Sequence, residues 1–214
     1  GRVMTGVMLP TGATDELVLR DISPRERERL DALASSSVVD SMDRLGSADA
    51  GISPVWPGAR VVGPALTVLT AGGDNRIIHE ALDVVRPGEV IVVNGFGDTS
   101  RALIGDLISE RARSLGVAGF VVDGCVRDVD AISELRLPVF ARGITPAGPY
   151  KNGPGAIGGP VAIGGVAVLT GDVVVADADG VVFIPRGRLE EVTEAAERKL
   201  AAEAEKRRRI RSGI

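Results

Sequence analysis

Three charged residues of this chain have types and a spacing that could do chemistry together. Asp106 is followed, after twenty residues, by the pair Arg127-Asp128. An arginine presents a planar fork of donors that matches a carboxylate. An aspartate is a hard oxygen ligand suited to Mg2+ or Mn2+. A second aspartate can hold a water or act as a base. Together they suit an anionic substrate and a divalent cation. The same residue types at turns also make an ordinary surface Arg–Asp pair and a helix-capping Asp, and spacing alone leaves that reading open.

The elements that would position them lie between Gly105 and Asp128, in GDLISERARSLGVAGFVVDGCVRD. Residues 107–115 have helical composition, and Gly116 stands where a helix C-terminal glycine belongs. Residues 117–122 form a short apolar run that reads as a buried strand. Asp123-Gly124 reads as a turn. A helix followed by a strand folds back on itself, so Asp106 can meet Arg127 and Asp128. With a helix start near Gly105, the amides of Leu107 and Ile108 lack intrahelical partners and form an anion site. The substrate-binding candidates are therefore Gly105, Asp106, Leu107, Ile108 and Arg127.

This segment resembles the RraA-like family, which includes the class II 4-hydroxy-4-methyl-2-oxoglutarate / 4-carboxy-4-hydroxy-2-oxoadipate aldolases. The family signature of an Asp, twenty residues and then Arg-Asp is matched in full by Asp106, Arg127 and Asp128. The likeness extends over residues 35–213 and includes SSSVVDSMDRLG, GDNRIIHEAL, RPGEVIVVNGFGD and GDVVVADADGVVFIP. It implies a three-layer β/β/α swivelling domain. It also implies that Arg127 binds a substrate carboxylate, that Asp128 binds Mg2+ or Mn2+, and that trimers or hexamers carry active sites between subunits. Family members with RraA's role, binding and regulating a ribonuclease, lack the acidic pair, so an intact set favours the enzyme. The implied activity is cleavage of a 4-hydroxy-2-oxo di- or tricarboxylate to release pyruvate, with oxaloacetate decarboxylation as a side activity. The alternative is a protein-binding regulator without catalysis.

The same resemblance bears on three further residues whose local reading is plain. Asp40, in a short helix over residues 37–45, reads as a solvated carboxylate; the family places an acidic residue here at a neighbouring subunit's site. His79, between apolar positions of a helix over residues 75–85, reads as structural; the resemblance places it at the pocket. Leu189, Val192, Ala196 and Leu200 form an apolar stripe on a final helix over residues 188–210, and Glu203 is next on it. Glu203 is either the solvated end of the stripe or aimed at a partner, and it is the best match for a family glutamate that reaches an adjacent subunit.

Composition excludes several classes. The 214 residues suffice for one sizeable domain, expected over residues 21–214 after a loose arm or tag remnant at residues 1–20. Aromatics are 3%, so Val, Ile, Leu and Ala must build the core. A net charge of -4 gives no electrostatic case for nucleic acid. No apolar run approaches a membrane span. The N-terminus has no signal-peptide pattern, and the lone Cys125 fits a reducing, cytoplasmic setting. One histidine excludes any site needing two His ligands from one chain. The three lysines, Lys151, Lys199 and Lys206, lie in a loop and a charged helix, which favours a metal-assisted enolate over a lysine imine.

Helices and strands alternate without a strict βαβ rhythm, so the fold class is α/β with a mixed sheet and a long C-terminal helix. Residues 65–70, 89–94, 138–141, 166–169, 173–176 and 181–184 read as strands. Residues 143–165, rich in Gly and Pro, read as a long loop merging into short strands. Gly95-Phe96-Gly97-Asp98 lacks the third glycine of a nucleotide fingerprint and reads as a loop lining the active site.

Overall fold

Valine and isoleucine runs build the centre of the molecule, because strands buried on both faces need apolar side chains at every position. The computed structural model describes residues 20–213. In chain order it has α1 (Pro24–Asp31), α2 (Ser35–Asp40), β1 (Ser53–Pro54), β2 (Val61–Thr70), α3 (Arg76–Val84), β3 (Val90–Asn94), β4 (Ala102–Ile104) and α4 (Asp106–Ser114). There follow β5 (Gly119–Val126), α5 (Val129–Glu134), β6 (Val139–Ile144), β7 (Gly155–Ile157), β8 (Val161–Ile163), β9 (Val166–Val168), β10 (Val173–Asp177), β11 (Gly180–Ile184) and α6 (Leu189–Arg211).

The main sheet runs β1-β6-β5-β3-β2-β10-β11. Strands β2, β3, β5 and β6 are parallel, and β4 adds to β5 in parallel. Strands β1, β10, β11 and β7 pair antiparallel, which makes the sheet mixed. It curls until its ends nearly meet, and the β8–β9 ribbon covers the open side. Strand alternation then sorts side chains into three cores. Ala65, Val90, Val92, Val121, Phe140 and Phe183 face inward against the ribbon. On the opposite face Leu66, Val68, Ile91, Val93, Phe120 and Val122 pack against α3, α4 and α5. Beyond β2, Val173, Val175, Val182 and Ile184 pack against α1, α2 and α6.

Local signals account for most element ends. Ser23 caps α1 by accepting the Glu26 N–H at 3.1 Å, while Glu26 accepts the Ser23 N–H at 2.7 Å, with Pro24 in the first turn. Gly116 closes α4 with φ +75. Strand β2 starts four residues before the expected one: residues 61–64 pair with β10, and pairing with β3 begins only at Ala65. The expected N-terminal arm lies outside the described residues except for Arg20, whose guanidinium holds the buried Glu89 carboxylate at 2.7 and 2.9 Å.

Asp123 and Gly124 are not a turn. They continue β5, with an irregular register against β6 between Val122 and Cys125. The buried Asp123 carboxylate is satisfied there, accepting Arg142 Nε–H at 2.7 Å and the Gly164 N–H at 2.8 Å. It thereby ties the ribbon to the main sheet. Asp123→Ala leaves Arg142 and the Gly164 amide short of an acceptor and should destabilise the fold by about 3 kcal/mol. Asp123→Asn keeps a side-chain acceptor and should lose less. Denaturant unfolding midpoints of the two variants check the order.

Candidate active site

The site is assembled where β4 and β5 end side by side. The Arg127 N–H donates to Ile104 O at 3.0 Å, locking the end of β5 to the end of β4. Each strand then passes straight into a helix, β4 into α4 and β5 into α5. Asp128, at the N-terminal cap of α5, has left-handed backbone angles of φ 57 and ψ 42. That conformation is unfavourable for a non-glycine residue by about 1 kcal/mol or more. It turns the carboxylate back onto α4, where Oδ2 accepts the Asp106 N–H at 3.1 Å and lies 3.5 Å from Arg127 Nε. Gly105 makes this approach possible. A Cβ there would run into the Asp128 carboxylate and sit 3.1 Å from Arg127 Cγ.

A small open cleft of about 80 Å3 lies over this junction. Gly105, Asp106, Leu107, Ile108, Arg127 and His79 line it, so six of the sequence-derived candidates meet in one place. The anion site differs from expectation in one respect. Asp106 Oδ1 accepts the Leu107 N–H at 2.7 Å, so that amide is occupied. The Ile108 amide has no partner among the described residues and remains free for a ligand.

Two polar cleft residues were not singled out as site candidates from sequence, Asn75 and Lys151. Asn75, read from sequence as the first helical residue, is the N-cap of α3, yet its side chain does not cap. Its Nδ2 donates to Leu103 O at 3.1 Å, and Oδ1, buried, has no partner. Because Leu103 O needs a donor, the amide orientation is settled and the cleft wall carries an acceptor. An asparagine before a helix is normally a cap, so no sequence signal distinguished it. Lys151 arrives on the Gly/Pro-rich loop. Asp74 pins that loop, accepting the Asn152 N–H at 2.9 Å and the Gly153 N–H at 2.7 Å as well as the Arg76 N–H at 2.9 Å. Burial raises the Asp74 pKa, but the three amides and the Arg76 charge outweigh it and hold it below the usual range. Arg101 stacks on Tyr150 at 4.1 Å and donates to Gly148 O at 2.8 Å, fixing the same loop.

His79 is half-buried. Burial, then the positive charges of Lys151 and Arg111, hold its pKa below the ordinary value, so the neutral imidazole predominates at pH 7. The Gly95–Asp98 loop does not line this cleft. The Gly95 and Gly97 amides donate to Asp123 O at 3.1 and 3.0 Å, which folds the loop over β5 instead. Asp40 and Glu203 are not on the cleft of their own chain either. Asp40 is paired with Lys199 of α6, which holds its pKa below the usual range. Glu203 lies one turn beyond Lys199, 3.8 Å from Arg207. The two acids therefore share a second surface at the outer end of α6. The stripe ends as it reaches them: Val192 and Ala196 are buried, but Leu200 is 38% exposed.

For a metal, no cluster of three or more His, Cys, Asp or Glu among the described residues could enclose an ion. That argues against a zinc-type cage. Asp128 Oδ1 is without a protein partner among the described residues, beside a cleft that also carries Asp106. One or two open carboxylates suit Mg2+ or Mn2+, which keep several waters and share their coordination with substrate oxygens. The donor set fits such an ion.

Residues 35–183 match a family model described as RraA-like, Aldolase/RraA. A Halalkalibacterium halodurans protein named "Putative 4-hydroxy-4-methyl-2-oxoglutarate aldolase" is 41% identical over 182 residues, 85% of this chain and 87% of that protein. The crystal structure of an uncharacterized protein from Pseudomonas syringae pv. tomato superposes with a TM-score of 0.84 at 29% identity, over 92% of each chain. Streptomyces coelicolor RraAS2, described as an unusual member of the RNase ES inhibitor RraA protein family, gives 0.77 at 30% identity over 87% of this chain and 98% of that one. With an Asp106–Arg127–Asp128 junction built on a nearly closed mixed sheet, and a family match spanning that junction, the chain belongs to the RraA-like family.

Proposed function

We propose that this protein is a divalent-metal-dependent aldolase that cleaves a 4-hydroxy-2-oxo di- or tricarboxylate and releases pyruvate. One observation carries the reading: an arginine fork, a free helix-start amide and the Asp106 carboxylate converge on one cleft, with the Asp128 carboxylate beside it, bonded to the Asp106 amide. The name of the Halalkalibacterium relative supports the reaction class. A purely protein-binding regulator has no need of that convergence. Pyruvate release from a panel of 4-hydroxy-2-oxo acids, with and without Mg2+, tests the proposal.

In the reaction, Arg127 binds the 2-oxo acid carboxylate through its guanidinium. Asp128 holds Mg2+ or Mn2+, which when bound supplies Lewis-acid polarisation of the 2-oxo group. Asp106 takes the 4-hydroxyl proton, directly or through a water that it positions. The C3–C4 bond then breaks, its electron pair forms the enolate of pyruvate, and C4 leaves as a carbonyl. The Ile108 amide donates to developing negative charge. The proton held by Asp106 or its water returns to C3. Oxaloacetate passes through the same enolate by losing CO2. Arg127 and Asp128 stay attached to the β4–β5 junction throughout, so the groups are oriented before substrate arrives.

Glu203 and Asp40 enter the proposal across an interface. Beyond Leu200, α6 leaves the body of its own chain, and the mouth of the cleft exposes Leu107 (75%) and Tyr150 (59%). An oligomer, a trimer or a hexamer, that packs the end of α6 against a neighbour's cleft mouth would cover these apolar side chains. It would also bring two acids to the proton-transfer end of the site. Among the described residues no helix is long and apolar enough to cross a membrane, which is consistent with a cytoplasmic enzyme of this kind.

Three outcomes are expected. Asp128→Asn should abolish turnover while thermal unfolding stays cooperative, and excess chelator should do the same to the unaltered protein; turnover that persists in both removes the metal assignment. Arg127→Lys keeps the charge and loses the fork, so kcat/KM for oxaloacetate should fall roughly a hundredfold, equivalent to about 2–3 kcal/mol. An unchanged kcat/KM would make Arg127 structural. Finally, Asp128→Ala and Glu203→Ala should each be inactive alone and regain partial activity when mixed under conditions of subunit exchange. A fully active Glu203→Ala protein excludes that residue, and failure to complement despite exchange would confine the chemistry to one chain.

A further inference from the structure

We propose that Arg101 is a positioning residue for Arg127, acting through Gly148, whose backbone is the surface on which the Arg127 guanidinium rests. The inference rests on the reading of Arg127 as the carboxylate-binding group and adds what holds that group in place. Apart from the 3.5 Å approach of its Nε to Asp128, the Arg127 side chain makes no hydrogen bond or ion pair among the described residues, and it is 42% exposed. Polar bonds therefore do not fix its long, rotatable stem. Packing has to do so if the fork is to be oriented before an anion arrives.

Two glycines from two different segments supply that packing. A Cβ on Gly105 would sit 3.1 Å from Arg127 Cγ and 3.3 Å from Nε, so the β4–α4 junction lies against the stem. A Cβ on Gly148 would sit 3.0 Å from Nη1 and 3.8 Å from Cζ, so the loop before β7 lies against the head. Gly148 is not among the glycines with positive φ. Its conformation does not call for glycine, whereas the close approach of Arg127 does. Gly148 in turn is held by Arg101, which does not line the cleft. Arg101 Nη1–H donates to Gly148 O at 2.8 Å, and Nη2–H donates to the Tyr150 hydroxyl at 3.0 Å. The same guanidinium stacks on the Tyr150 ring at 4.1 Å. It thus grips the loop at two residues, Gly148 and Tyr150. Backbone bonds complete the hold: Ala102 N–H to Ala147 O at 2.8 Å and Tyr150 N–H to Gly73 O at 2.8 Å. Arg101 immediately precedes β4 and Gly105 immediately follows it. Both surfaces that touch Arg127 are therefore referred to one short strand, one through its exit and the other through the side chain at its entry.

Binding of pyruvate to the Mg2+-loaded protein, measured by calorimetry, tests the chain of contacts. Gly148→Ala displaces the head of Arg127 without straining the backbone. It should weaken pyruvate binding about tenfold, the scale of one charge-assisted contact of the fork, and leave the thermal unfolding midpoint unchanged. Arg101→Met should weaken binding by a similar factor although it touches no ligand, and Arg101→Lys, which keeps the charge and one of the two contacts, should recover part of the loss. In an Arg127→Lys background, where the side chain ends one atom short of the Nη1 position, neither Gly148→Ala nor Arg101→Met should cost more. Unchanged binding in either single variant, or losses that add in full to that of Arg127→Lys, would overturn the inference. If Arg127→Lys itself leaves pyruvate binding intact, the carboxylate-binding reading of Arg127 fails instead. Crystal structures of Gly148→Ala and Arg101→Met then decide the positioning role by themselves: a displaced Arg127 guanidinium supports it, and an unmoved one overturns it.

Discussion

The contact on which the site depends is the hydrogen bond from the Asp106 amide to Asp128 Oδ2, 3.1 Å long, across the ends of β4 and β5. It joins two helix starts through one carboxylate. A negative charge at the beginning of α4 is favoured by the unpaired amides and the helix dipole. That stabilisation offsets the left-handed backbone of Asp128. The price is paid locally in sequence, because Gly105 must lack a side chain for the carboxylate to fit. The consequence is functional: one oxygen of Asp128 is spent on structure and the other is left for an ion, while Arg127 beside it is free to meet an anion.

Parallel strand order explains why these groups meet at all. Strands β4 and β5 are neighbours in parallel, so their C-terminal ends emerge on the same edge and their following helices begin there. Ligands of open α/β sheets bind at the carboxyl ends of strands for this geometric reason. The sheet here is nearly closed, with its interior filled by Phe140 and Phe183 against the ribbon. That interior is packed with buried apolar side chains. The cleft therefore forms on the helical side, between α3, α4 and the loop before β7.

Some of this was legible in the sequence and some was not, for physical reasons. The α4 boundaries, the strand that follows and the meeting of Asp106 with Arg127-Asp128 follow from local signals: a C-terminal glycine, an apolar run and a spacing that folds back on itself. Asp123-Gly124 misled because a buried, fully bonded aspartate inside a strand looks the same in sequence as one at a turn. The Leu107 amide was read as free because nothing in the sequence told that Asp106 would turn back onto it. Asn75 and Lys151 lie 31 and 45 residues from Asp106 along the chain. Their place on the cleft is set by tertiary contacts, through Leu103 O and Asp74, that no local periodicity encodes.

The orphan acceptor on Asn75 carries the argument one step further. The other polar groups on the cleft wall are mostly donors: Arg127, Lys151 and the Ile108 amide. Donors recognise the carboxylates and the oxo group of a 2-oxo acid, and none of them distinguishes a hydroxylated chain from a plain one. A buried carbonyl oxygen without a partner is unfavourable by about 1–3 kcal/mol, and a ligand hydroxyl or a bridging water relieves that penalty by donating to it. Asn75 Oδ1 is held in place by the bond from its own Nδ2 to Leu103 O, so the amide cannot flip to escape the penalty. The wall therefore combines fixed donors for anionic oxygen with one buried, unpartnered acceptor held in place behind them.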